Sequence, residues 1–363
     1  MRVSFPRMGT LWVGLKTAFE ELGVEVVVPP PLGKRALDLG VRFSPEMVCF
    51  PFKLCVGNMI EAIERGADTI LMAGGTGPCR FGYYGEVQRR ILEELGYDFE
   101  MVILEPPQGD WRELARRIKY VTKGASWLRI FKAIKFGLRK LDALDRLEDL
   151  CNKRRPYVAD LGALDRLWKK YLRLIEGAET YREVRRLESE GVEEIESLKK
   201  CNLEEEPLKV LIVGEIYTVL EPFANMHVER RLGEMGCEAH RTIFISQWIR
   251  HHIFFNPRSK YHRRLSRIAR PFLKVRAGGH SMESVAHTVE AVREGIDGVV
   301  HLMPFTCGPE IVAKGVMEGV RRLYNIPIIS FAFDEHTGEA GFLTRLEAFV
   351  DLLRFQRRKR RAA

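Results

Sequence analysis

Three of the seven cysteines are placed where a thiol can be made chemically useful. Cys49 lies in SPEMVCFPFKLCVGN, Cys79 in GGTGPCRFGYYG and Cys307 in HLMPFTCGPE, each in a loop that leads into a helix. The amides opening a helix favour negative charge, so each thiol would be stabilised as a thiolate, the form that binds metal. No CxxC pair occurs, so the local spacing of a zinc ribbon or a bacterial ferredoxin is missing. On spacing alone, three unligated loop thiols are the commoner outcome. Cys55 follows Cys49 closely enough to be a fourth ligand or to pack in the core, whereas Cys151, Cys201 and Cys237 read as structural.

Other groups near these thiols widen the possible chemistry. Lys53 and Arg80 would stabilise an anionic centre, or else form a solvated or ion-paired surface, while Gly74, Gly75, Gly77 and Gly82 let backbone amides approach sulfur. Glu310 falls in the first turn after Cys307, as an open-site ligand, a proton donor or a simple helix-capping acid. Gly278, Gly279, His280 and Ser281 precede a helix near Met282 and could form an anion-binding nest, with His280 as a proton donor or a structural imidazole. Asp334, Glu335, His336 and Glu339 resemble a metal set, but loop-holding and capping hydrogen bonds are the favoured reading. His251 and His252 are adjacent rather than i, i+4, which discounts them as a helical metal pair.

The elements that must position these residues alternate in the first part of the chain. Arg2 to Phe5 and Glu25 to Val28 read as strands around a helix near Thr10 to Leu22, stopped by Gly23. A helix is expected from about Val56, where Val56, Met59, Ile60 and Ile63 fall on one face and Gly66 supplies the stop, and Pro45 and Pro51 argue against a long regular element before it. Thr69 to Ala73 is a buried strand, then a helix with Val87, Ile91, Leu92 and Leu95 on one face leads to a strand at Phe99 to Leu104. Pro106 and Pro107 close this first α/β lobe at residues 1–108. Residues 109–206 are long charged amphipathic stretches, read as a helical insert. From Pro207 a second α/β lobe, residues 207–363, repeats the plan, with strands at Lys209 to Val213, Glu238 to Ile243 and Ile326 to Phe331. ADTILMAGGTGPCRFG matches IDGVVHLMPFTCGPE in layout, each placing a cysteine just past the carboxyl end of a buried strand. Ligands bind there in open parallel sheets. The fold class is therefore α/β, with two Rossmann-like or flavodoxin-like lobes, parallel sheets and a helical insert.

With 363 residues, 46% hydrophobic and 29% charged, the composition is globular rather than disordered or fibrous. No run reaches the roughly 18 apolar residues of a membrane span, and the N-terminal residues do not read as an export signal. A cytoplasmic protein with free or ligating thiols is expected, since an odd cysteine count argues against a disulfide framework. Lys and Arg exceed Asp and Glu by 58 to 49, a net charge of +9, which favours acidic partners. Part of that excess is Arg357 to Arg361, which reads as a solvated tail. No complete GxGxxG or Walker sequence supports a nucleotide- or nucleic-acid-binding reading, which stays a weaker alternative.

The strings CFPFKLCVGNMIEAIERGADTILMAGGTGPCRFGYYGEVQ, GGHSMESV, HLMPFTCGPEIVAKG and SFAFDEHTGEAGFLTRLEAFVDLL closely resemble the 2-hydroxyacyl-CoA dehydratase and double-cubane cluster superfamily, in its activase-associated branch. The likeness covers both α/β lobes and is faint in the insert. It implies an iron–sulfur cluster held by three cysteines, which match Cys49, Cys79 and Cys307, in a cleft between the lobes. It further implies a 4Fe-4S or eight-iron double-cubane centre that leaves one iron open. An ATP-hydrolysing activase of the actin and sugar-kinase type would deliver single electrons to it. Dehydratase relatives use such an electron to form a ketyl radical from a 2-hydroxyacyl-CoA, and double-cubane relatives reduce small molecules. An acyl-CoA or other small substrate, and a homodimer or a heterodimer with a related subunit, are expectations of the same kind. A non-catalytic electron carrier or activase partner is the alternative from a different class.

Overall fold

The structure is a computed structural model that describes every residue except 76, 106–109, 204, 255–259, 276 and 363, together with the side chains of 253 and 254. The chain divides into two compact units, Met1–Leu141 and Asp142–Ala363, with the division falling inside one long helix. Pro106, Pro107 and the expected boundary at 108/109 lie outside the described residues.

The first unit runs β1 (Arg2–Ser4), α1 (Leu11–Glu21), β2 (Glu25–Val26), α2 (Lys34–Phe43), α3 (Phe50–Glu64), β3 (Thr69–Ala73), α4 (Tyr84–Glu94), β4 (Glu100–Leu104) and α5 (Trp111–Val121). Helix α6 (Trp127–Arg154) then carries the chain into the second unit, which continues with α7 (Leu161–Gly177) and α8 (Tyr181–Ser197). There follow β5 (Leu208–Gly214), α9 (Ile216–Leu220), α10 (Val228–Glu234), β6 (Cys237–Arg241), α11 (Ile245–Ile249) and α12 (Lys260–Ala269). The unit ends with α13 (Ser281–Arg293), β7 (Gly298–Pro304), α14 (Gly308–Tyr324), β8 (Ile328–Phe333) and α15 (Glu339–Ala362).

Each unit holds one four-stranded sheet, ordered β2-β1-β3-β4 and β6-β5-β7-β8, and every strand pair is parallel. The α/β class with two like lobes is thereby established. In both sheets the chain leaves the first strand toward one edge and returns on its other side. This creates a switch point between β1 and β3, and again between β5 and β7, where strand ends open a crevice. Val3, Phe5, Phe19, Leu71 and Val102 pack the first core, while Val213, Val285, Val299, Ala313 and Met317 pack the second.

The cysteine-bearing helix of the first unit begins earlier than expected, at Phe50 rather than near Val56. Pro51 occupies its first turn, where the missing N–H costs nothing because that amide has no partner within the helix. Residues from Phe50 to Ala62 are all buried, so this front half shows no amphipathic rhythm to read. Helix α2, which the sequence reading passes over, packs directly on it. A Cβ on Gly57 would stand 1.7 Å from the Ala36 carbonyl oxygen, and one on Gly40 1.9 Å from that of Lys53. These two glycines let the backbones of α2 and α3 touch.

Candidate functional site

In the first unit two thiols gather around one tyrosine. Cys49 is the N-cap of α3, with φ −72° and ψ 151°, and its Sγ is hydrogen-bonded to the hydroxyl of Tyr84 on α4. Cys79 caps the 3-10 turn Arg80–Tyr83 that runs into α4, with a similar extended backbone of φ −72° and ψ 128°. Burial, reinforced by negative charge on Cys49 and Cys79, holds the Tyr84 hydroxyl well above its ordinary value, with Arg80 opposing. Tyr84 therefore stays a phenol, whose hydroxyl is able to donate to the Cys49 sulfur. Arg80 donates to the Met47 carbonyl at 3.0 Å, tying the Cys79 loop to the segment before Cys49. Lys53 is 5% exposed within α3, so it is not a solvated surface charge. Cys55 is buried in the second turn of the same helix.

In the second unit Cys307 is the N-cap of α14 and only 8% exposed. The preceding Thr306 has φ 66°, a left-handed conformation that a β-branched residue adopts only under constraint. One turn on, Glu310 is fully buried. Its Oε2 accepts from the Ser284 hydroxyl at 2.9 Å and meets His301 Nε2 at 2.9 Å. Its Oε1 has no hydrogen-bond partner among the described residues. Glu215, just past β5, takes hydrogen bonds from the Tyr217 amide and from the amide and hydroxyl of Thr218. Burial nonetheless raises its carboxyl, and negative charge on Glu310 adds to that. Gly278 and Gly279 have φ 85° and 50°, and a Cβ on Gly279 would lie 3.0 Å from Pro309, so their loop rests against the first turn of α14. Ser281 closes this loop by donating its hydroxyl to the Gly278 carbonyl at 2.8 Å.

His280 is buried and accepts from the Trp248 indole N–H at 2.9 Å through Nε2. An indole only donates, so the remaining ring proton of His280 is on Nδ1. Burial pushes this imidazole down to about 4, so it is neutral at pH 7. A pocket opens beside it, lined by Trp248, His251, His252, Tyr261, Glu283 and His287 among others. The sequence set His252 aside because its neighbour His251 shares no helix face with it. His251 indeed turns away to stack on Tyr261, but His252 meets His262 from α12 instead. Asp334 accepts from the Thr337 hydroxyl and the His336 amide and so closes its own loop, the capping role favoured for it.

Sequence reasoning missed His301, Ser284, Glu215, His262 and Glu283. A histidine inside the apolar strand β7 was the one readable signal, since a fully buried imidazole needs a partner.

These features define a two-lobed α/β protein whose three singled-out thiols all cap helices. The family described as the CoA enzyme activase uncharacterised domain matches residues 7–73, from just past β1 to the end of β3, a stretch that contains Cys49 and Lys53. Over that segment the chain is similar to this activase-associated domain. No curated protein matches the chain.

Proposed function

We propose that this chain is an iron–sulfur protein of the 2-hydroxyacyl-CoA dehydratase superfamily, reduced at low potential by an ATP-hydrolysing activase. Cys49, Cys79 and Cys307 are its thiolate ligands. The observation that carries this reading is that all three thiols share one setting, an extended N-cap residue directly ahead of a helix, two of them after the equivalent strands β3 and β7. The donor set fits: three thiols at positively polarised helix starts, a phenol donating to one of them and an arginine beside another. When bound, the cluster would supply one-electron chemistry, with three thiolate ligands leaving one iron free to meet a substrate.

The chain's own groups have distinct parts in this proposal. Tyr84 moderates the charge on Cys49, and Arg80 anchors the loops of both first-unit cysteines. Glu310 and His301 form a buried pair beside Cys307 that can hold a proton for a reducible substrate. The test is iron and acid-labile sulfide per chain after anaerobic reconstitution. Wild type and Cys55→Ala should retain both, while Cys49→Ala, Cys79→Ala and Cys307→Ala each lose them. A correctly folded, reconstituted wild type without iron would overturn the reading.

A further inference from the structure

We propose that His252, His262 and Glu283 form a second metal site, for a divalent first-row transition ion, chemically separate from the thiol centre. The three ligands come from three elements of the second unit. His252 belongs to the π-helical turn Arg250–Phe254, His262 to α12, and Glu283 to the first turn of α13. Their ligand atoms all lie within 4.8 Å of one another.

The tautomer of His252 is the strongest part of the argument. Its Nδ1 lies 3.0 Å from the Trp248 carbonyl oxygen, which can only accept, so Nδ1 carries the proton and Nε2 presents a lone pair. Metal-bound histidines are held this way, with the far ring nitrogen donating to a carbonyl or carboxylate. That Nε2 points at His262 Nε2, 3.4 Å away, and at Glu283 Oε1, 4.0 Å away. Zinc-type bonds of about 2.0–2.1 Å at tetrahedral angles set two ligand atoms about 3.3–3.4 Å apart. The His–His edge already has that length, and the carboxylate, 4.0 Å from His252 and within 4.8 Å of His262, has to draw in by roughly an ångström to match it.

The surroundings hold the ring in place. Trp248 stacks on His252 with centroids 4.7 Å apart and planes 15° apart, and its indole N–H is fixed by His280. Two imidazoles and one carboxylate suit zinc or ferrous iron, and three protein ligands leave a coordination position open. His252 and Glu283 themselves line the pocket shared with Tyr261 and His287, where a small oxygen ligand such as water or a carboxylate would bind.

The experiment is a Co2+ titration of the full chain under anaerobic conditions, read by visible absorption. Wild type should show the ligand-field bands of nitrogen and oxygen donors, any thiolate-to-cobalt charge transfer belonging to the thiol centre. The triple variant Cys49→Ala/Cys79→Ala/Cys307→Ala should keep those bands, which separates this site from the thiol centre whether or not the latter holds iron. His252→Ala and Glu283→Gln should each weaken Co2+ binding by at least about tenfold, the lower end of what even outer-shell changes cost at such sites. In that triple-cysteine background Zn2+ should raise the thermal midpoint, and should no longer do so once His252→Ala is added. The His252 side chain is 27% exposed, so its removal leaves the core intact. Bands that vanish with the cysteines, or Co2+ affinity unchanged in His252→Ala, would overturn the proposal, and the histidine pair would then be a plain hydrogen bond.

Discussion

The ends of β3 and β7 occupy the same place in sheets of the same strand order, yet they gather different chemistry. After β3 the chain presents a half-buried thiol, Cys79, with Tyr84 and Arg80 close to it and Cys49 across the phenol. After β7 it presents a buried thiol, Cys307, backed by a carboxylate, an imidazole and a hydroxyl that bond to one another out of water. One lobe thus surrounds its sulfur with donors and positive charge, the other with acids. The shared topology decides where each loop emerges. The side chains of the following helices decide what electron or proton chemistry the loop can support.

The backbone contacts that fix the two sites also differ, and breaking them is the largest effect expected. The first lobe relies on helix against helix at Gly57. The second relies on strand against strand at Gly214, whose φ is 145° and where a Cβ would fall 1.9 Å from the Leu302 carbonyl oxygen. Neither contact can yield, because the obstacle is backbone. Gly57→Ala and Gly214→Ala should each cost about 3 kcal/mol or more, beyond ordinary overpacking. Urea unfolding followed by a probe in each unit distinguishes them. Gly57→Ala should move the transition of the first unit more, and Gly214→Ala that of the second. Equal shifts in both would mean that the units unfold as one cooperative block.

A smaller change sharpens the contrast between donor-rich and acid-rich sulfur. Tyr84→Phe removes the phenol that donates to Cys49 and leaves the Phe52 edge contact, with ring centroids 4.8 Å apart, in place. Iron content should persist, since no ligand is lost. The reduction potential should become more negative by on the order of 50 mV, because a hydrogen bond to a thiolate stabilises the more negative, reduced state over the oxidised one, and its removal forfeits part of the about 1.5–3 kcal/mol that such bonds contribute. Anaerobic potentiometry on the reconstituted chain checks this, and an unchanged potential would detach Tyr84 from the proposed centre.

Much of this contrast was readable before the fold was seen. The apolar runs TILMA and GVVHLMP stand out as buried strands, and the glycine stop at Gly23 has positive φ. The positions of Cys79 and Cys307 at helix starts follow from those strand ends. What stayed hidden had physical causes. The front of α3 is buried all round and so has no periodicity, and α2 carries an interior glycine whose purpose is visible only against α3. The meeting of His252 with His262 depends on how α12 folds back beside the π-helical turn, which no local pattern encodes. Glu310 was legible as a helix-capping acid, but its hydrogen bonds to His301 and Ser284 come from β7 and α13.

The smallest expected effect tests whether the acids of the second lobe are held under electrostatic tension. Desolvation raises the Glu215 carboxyl above its ordinary value of 4.5, against the hydrogen bonds from Thr218 and Tyr217, and Glu310 adds to the rise. A carboxyl raised in the folded state keeps its proton there longer than in the unfolded chain. Between the unfolded and folded values the native state therefore binds more protons, and stability falls as pH rises through that window. Glu215 contributes a cost to the folded chain at neutral pH that is absent below the unfolded value. Glu215→Gln keeps an oxygen to accept from the Thr218 and Tyr217 amides and removes the titration. Its urea midpoint should decline less with pH than that of wild type from the acidic side of 4.5 upward, while the two converge at low pH. Parallel curves across the whole range would show that Glu215 titrates alike in both states, and that the acid-rich character of this lobe rests on Glu310 alone.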